Sequence, residues 1–109
     1  MLIEDHNADG ILVLKVCDSR VDAHNAAEFK STVAEFVSNG NNKIALDLSE
    51  VEFIDSSGLG AIVAGLKAVG REGSFSIFGL QSATLSMFRM TRMDKVFQIF
   101  ESESEALAA

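Results

Sequence analysis

Asp47-Leu48-Ser49-Glu50-Val51-Glu52-Phe53-Ile54-Asp55-Ser56-Ser57-Gly58-Leu59-Gly60 is the stretch on which the reading of this chain turns. It begins as the polar end of an apolar run, Lys43 to Leu48, which reads as a buried strand. It closes on three short polar residues directly before a helical stripe of Leu59, Ile62, Val63 and Leu66. Asp55, Ser56 or Ser57 could each cap that helix by accepting bonds from its free N–H groups, and two hydroxyls are more than one cap requires. Gly58 and Gly60 sacrifice helix propensity, which makes sense if another backbone or an anion must approach closely. A phosphoryl group on Ser56 or Ser57 would lie beside the positive end of the helix dipole, where an anion gains about 0.3–1 kcal/mol. Asp55 would oppose it. An ordinary cap with packing glycines accounts for the same residues equally well.

Working outward, Met1 to His6, the turn Asn7-Ala8-Asp9-Gly10 and the run Ile11 to Val16 predict a β-hairpin. Cys17 to Val21 reads as a loop or strand end, with Cys17 half-buried. Asp22 is the expected N-cap of a helix with Ala26, Phe29, Val33, Phe36 and Val37 on one stripe, stopped at Gly40. Gly70 and Gly73 bracket the exit of the second helix, and Ser74 to Phe78 is another strand. Gln81 to Thr91 reads as helical with Leu85 and Phe88 inward, and Val96 to Phe100 as a last extended segment. Ser102 and Glu105 form a capping-box pattern in the tail. Alternating strands and helices imply an α/β fold whose sheet is partly parallel and, through the hairpin, mixed. No linker or internal repeat divides residues 1–109, which are expected to form a single domain.

Composition narrows the function. The chain has 109 residues, 48% of them hydrophobic, and a net charge of −7. Its nine Lys and Arg are scattered, which argues against direct nucleic-acid binding. An acidic surface suits a basic protein partner through steering. The single cysteine excludes a disulfide framework and disfavours a zinc site, so neither metal nor cofactor is expected. The longest uncharged apolar stretch, Leu59 to Leu66, is far short of the roughly 20 residues a membrane helix needs. With no basic, signal-like start, the expected location is the cytoplasm.

Other constellations fail on spacing. Val63 stands where a dinucleotide loop needs its third glycine, and Leu66-Lys67-Ala68 follows Gly60 and Gly65 where a P-loop needs Lys-Ser/Thr. Gly-x-Ser-x-Gly is absent around Ser56. His6 and His24 read as surface or capping residues, since nothing places either beside a serine, and no catalytic residue is assigned. A phosphoacceptor receiver domain needs paired acids after its first parallel strand, where Asp47 and Asp55 are single. Met87, Met90 and Met93 read as core rather than as an adaptable surface. The small residues Ala61, Ala64, Gly65 and Ala68 suit either close helix packing or a flat partner surface beside Ser56.

Ile54-Asp55-Ser56-Ser57-Gly58-Leu59-Gly60, preceded by Asp47-Leu48, closely resembles the STAS domain of bacterial anti-sigma factor antagonists. Val21-Asp22, Thr91, Met93 to Phe97 and Ser104 to Leu107 match the family's flanking patterns, so the resemblance covers nearly the whole chain. It implies a STAS fold: a mixed sheet of about four to five strands with an N-terminal hairpin and helices mainly on one face. It implies a non-enzymatic protein whose Ser56 is phosphorylated by an anti-sigma factor that is itself a serine kinase of the histidine-kinase-type ATPase fold. Asp22, Asp55, Ser57, Gly58 and Leu59 would surround the phosphosite and contact the partner. Unphosphorylated antagonist would bind the anti-sigma factor and release sigma; phosphorylation would end binding, and a PP2C-type phosphatase would reset the switch. The alternative is a non-switching accessory STAS subunit of a transport or stressosome-like assembly, in which the serine is only a cap and contact. The chain departs from the family in Asp18-Ser19-Arg20, where a turn glycine is common, and in Arg92, which replaces a frequent glycine.

Overall fold

Asp9 and Gly10, with φ of 54° and 80°, close a two-residue hairpin turn between β1 (Ile3–Ala8) and β2 (Ile11–Val16). Positive φ at both central residues matches the turn to the right-handed twist of the strands, which is why Asp-Gly is favoured there. The computed structural model describes all residues, 1–109. From β2 the chain steps through β4 (Lys43–Asp47), β6 (Ser74–Phe78) and β7 (Gln98–Phe100), giving the sheet order β1-β2-β4-β6-β7 with β2 onward parallel. Each crossover advances in the same direction. Right-handed crossovers that all advance one way place their helices on one face. These helices are α1 (Ala26–Ser38), α2 (Ser56–Val69) and α3 (Ser82–Met90).

Strand alternation then sorts the side chains. Leu12, Leu14 and Val16 of β2, Ile44 and Leu46 of β4, and Phe75 and Ile77 of β6 meet Phe29, Val33, Ile62 and Phe88 in one buried cluster. Phe97 closes its edge, with ring centroids 5.9 Å from Phe88 and 6.2 Å from Phe75. The opposite face carries a smaller cluster of Val13, Ala45 and Phe78 under Ala106 of α4 (Glu103–Ala108). The hydroxyl of Ser102 caps α4 by accepting from the Glu105 N–H at 3.3 Å, half of the expected capping box, while the Glu105 carboxylate accepts from the Glu101 N–H at 3.3 Å instead of the Ser102 N–H. No helix is long and apolar enough to cross a membrane.

Several expectations need correction. The Cys17–Val21 segment, expected as a loop or strand end, and residues 51–54, which read as a loop, contribute β3 (Arg20–Val21) and β5 (Phe53–Ile54), a separate parallel pair too short to show periodicity. Asp22 does not cap α1: a turn intervenes, and the helix begins after Asn25. The fully buried residues of α2 are Gly58, Ala61, Ile62, Gly65 and Val69, while Leu59, Val63 and Leu66 are half-buried at the sides of the same core. The small residues let α2 settle closely against the sheet and α1, so the larger ones flank the contact. Thr84 is buried in α3 where Leu85 was expected, and Leu85 is half-buried. Met87 and Met93 pack against the core, but Met90 is 84% exposed. Cys17 is half-buried as expected, and His6 is exposed and pairs with Glu103 at 3.0 Å.

Two helical glycines differ in consequence. A Cβ on Gly65 would lie 2.7 Å from the Phe75 ring and 3.3 Å from Val33, whereas one on Gly60 would meet nothing within 4 Å. Gly65→Ala is therefore expected to lower stability by about 1–3 kcal/mol through overpacking. Gly60→Ala should raise it by about 0.5–1 kcal/mol. Urea unfolding midpoints of the two variants check the opposite signs. Arg92 follows α3 at φ 61°, a left-handed conformation that glycine adopts with less strain. Arg92→Gly is expected to shift the same midpoint upward, by about 1 kcal/mol in stability.

Candidate functional site

The site is assembled where the β3–β5 pair meets the start of α2. Parallel pairing sets Arg20 opposite Phe53 and Val21 opposite Ile54. The Val21 carbonyl accepts a hydrogen bond from the Asp55 N–H at 3.3 Å. That carbonyl lies so close to Gly58 that a Cβ there would overlap it, 2.0 Å from its oxygen. Gly58 thus answers to a neighbouring backbone, one of the two reasons its sequence position suggested. Gly60 has no such neighbour.

Asp55 is the cap. Its Oδ1 accepts from the Gly58 N–H at 2.8 Å, and its backbone carbonyl accepts from the Leu59 N–H at 2.9 Å. Its Oδ2 reaches across to the Ala23 N–H at 3.1 Å. One carboxylate therefore joins the first turn of α2 to the turn before α1. Since Asp55 is the side-chain cap, neither serine hydroxyl serves as one. Ser56 and Ser57 are the first two residues of α2 and both are exposed; Leu59 behind them is half-buried.

The neighbouring turn is equally constrained. Asp22 is buried, and its Oδ2 accepts from Arg20 Nε at 2.9 Å while Oδ1 accepts from the His24 N–H at 3.0 Å. Asn25 closes the loop, with Oδ1 accepting from the Asp22 N–H at 2.9 Å and Nδ2 donating to the Arg20 carbonyl at 2.8 Å. The Arg20 guanidinium carbon also stacks 4.4 Å over the Phe53 ring, itself 42% exposed. The Arg20 guanidinium, helped by the His24 N–H, holds the Asp22 carboxyl below its ordinary range. Asp22, Asp55, Ser56, Ser57, Gly58 and Leu59 thus belong to one neighbourhood, linked through the Asp55–Ala23 bond. Sequence reasoning missed Arg20, Ala23 and Phe53. Ala23 contributes only a backbone N–H, which no side-chain pattern reveals, and the Arg20–Phe53 stack depends on a strand pairing two residues long.

Removing the cap in Asp55→Ala is expected to cost about 1–2 kcal/mol, read from a urea midpoint. Asp22 sets a pH dependence. Because its folded pKa is depressed, its stabilising contribution is fully present above the unfolded value of about 3.9 and is lost as pH falls through the lower folded value. In Asp22→Asn, stability should fall less steeply below about pH 4 than in the parent chain.

The chain is similar to known proteins over nearly its whole length. The STAS domain model matches residues 3–106. A Thermotoga neapolitana protein named as an anti-sigma factor antagonist is 40% identical over 100 residues, covering 88% of this chain and 87% of its own. The Mycobacterium tuberculosis anti-sigma-F factor antagonist RsfB is 30% identical over 105 residues, covering 96% and 84%. The crystal structure of a Thermotoga maritima protein of the same description superposes with a TM-score of 0.89 at 31% identity, covering 97% of this chain and 92% of that one.

Proposed function

This chain belongs to the STAS domain family, and from that premise we propose that it is a phosphorylation-gated anti-sigma factor antagonist with Ser56 as the phosphoacceptor. Residues 1–109 act as one domain that binds without catalysing a reaction, in the cytoplasm. The unphosphorylated form binds an anti-sigma factor and frees sigma. That anti-sigma factor is also the serine kinase, of the histidine-kinase-type ATPase fold, and a PP2C-type phosphatase reverses the modification. The reading is supported by its anti-sigma factor antagonist relatives. The observation that carries the phosphosite is the exposed Ser56 hydroxyl at the first position of α2, with the helix end already capped by Asp55.

The rigid setting of Ser56 favours a switch at the interface over one inside the domain. Phosphoserine adds about −1.5 to −2 charges near pH 7. One like-charge contact at about 4 Å costs roughly 1 kcal/mol in water and about 4 kcal/mol in a partly desolvated interface. Each 1.4 kcal/mol is about tenfold in affinity, so repulsion and desolvation can weaken binding a hundredfold without refolding the antagonist. Asp22, Asp55, Ser57, Gly58 and Leu59 shape the contact surface around the acceptor, and the carboxylate of Asp55 adds to the repulsion once phosphate arrives.

Incubation with the cognate kinase and ATP should place one phosphate on Ser56 by mass spectrometry; an unmodified Ser56 in a kinase-active reaction overturns the assignment. Ser56→Ala should retain the partner in a pull-down and Ser56→Asp should lose it by about tenfold or more. Equal retention by both variants would remove the gate from the account. Amide shifts on phosphorylation should stay near residues 20–25 and 53–60, and a displaced α2 would contradict the interface switch.

A further inference from the structure

We propose that the turn joining α3 to β7 is a docking surface for an acidic protein segment carrying an apolar anchor, separate from the Ser56 neighbourhood. On a chain of net charge −7, three of the nine Lys and Arg fall between Arg89 and Lys95, with Asp94 the one acid among them. The ion pairs of the molecule engage the N-terminal amine, His6, Lys15 and Arg20, so Arg89, Arg92 and Lys95 are left without a partner. Backbone bonds fold the stretch tightly: Arg92 N–H to the Arg89 carbonyl at 3.1 Å, Lys95 N–H to the Arg92 carbonyl at 3.2 Å, and Val96 N–H to the Met93 carbonyl at 3.0 Å. The three cations are therefore held on one compact turn, and all three are exposed.

Apolar surface accompanies the charge. Met90 is 84% exposed and Val96 49% exposed on the same turn. A methionine so placed adapts to varied partner side chains. Arg89 also borders an open groove of about 530 Å³ lined by Leu80, Leu85, Ile99 and Phe100, which offers a seat for an anchor. Asp94 and Glu101 line that groove too and repel acid within it, so the acidic residues of the segment belong over Arg92 and Lys95. The backbone of Arg92 gives a further indication. Its φ of 61° is one that glycine holds with less strain, and the arginine there brings a third cation to the turn. A protein segment fits better than a membrane. Three cations fall short of the roughly four to eight typical of clusters that bind anionic lipid, and the acidic remainder of the surface is repelled by such a bilayer.

The test is an NMR titration of the full chain at low salt with a synthetic peptide carrying Glu and Leu at helical spacing. Amide shifts confined to residues 80–101, weakening as salt rises, are expected. Arg89→Glu combined with Lys95→Glu should reduce affinity about tenfold or more. Arg92→Gly, which keeps the left-handed turn, should reduce it a few-fold and guards against a folding defect in the charge reversal. Equal binding of the matching Lys–Leu peptide, shifts centred elsewhere, or unchanged affinity in the variants would overturn the proposal. Co-sedimentation with phosphatidylserine vesicles, abolished by the same charge reversal while the peptide does not bind, would replace the protein segment with a membrane.

Discussion

A single carboxylate ties the start of α2 to the turn before α1. Asp55 accepts from the first turn of its own helix and from the backbone of Ala23, more than thirty residues earlier in the chain. The β3–β5 pairing brings the two segments alongside each other, and the absence of a side chain at Gly58 lets the Val21 carbonyl lie against the helix. Each contact requires the others. A bulkier residue at Gly58 would displace the Val21 strand, and with it the Ala23 N–H that the carboxylate needs. The serines sit on this framework without being part of it.

That separation of labour bears on the proposed switch. A residue that caps a helix is committed to its hydrogen bond, and modifying it would destabilise the fold it serves. Here the acid does the capping and the adjacent hydroxyls face solvent. A charge added to Ser56 would act mainly on whatever approaches from outside. The Arg20–Phe53 stack and the Asp22 network stiffen the ground beside it, since Asp22 is buried with both carboxylate oxygens engaged.

The main sheet shows how much periodicity can carry. The hairpin, β2, β6 and the tail cap lie where turn chemistry and alternation put them, because each is a local pattern satisfied by local geometry. Gly58 illustrates the limit of such reading. Its sequence position suggested a close neighbour but left backbone and anion open, and the Val21 carbonyl lies there. Asp22 shows another limit. It was legible as a capping residue, but an intervening turn moved the helix start to Asn25 and left the carboxylate to bind Arg20 and His24 instead. The methionines divide for a related reason: Met87 and Met93 turn toward the core, while Met90 falls on the outer side of α3.

By itself the sequence determined the fold class, the order and approximate bounds of the principal elements, the family resemblance and the position of the serine pair at a helix start. These follow from spacing along the chain, where each residue's neighbours are known. Only the tertiary structure decided which residue caps α2, what presses on Gly58, which small residues of α2 are buried, and how Arg20, Ala23 and Phe53 join the site. Those outcomes rest on contacts between distant segments, several of them through backbone atoms that every residue possesses. Side-chain identity carries no record of a carbonyl's neighbour until the chain has folded.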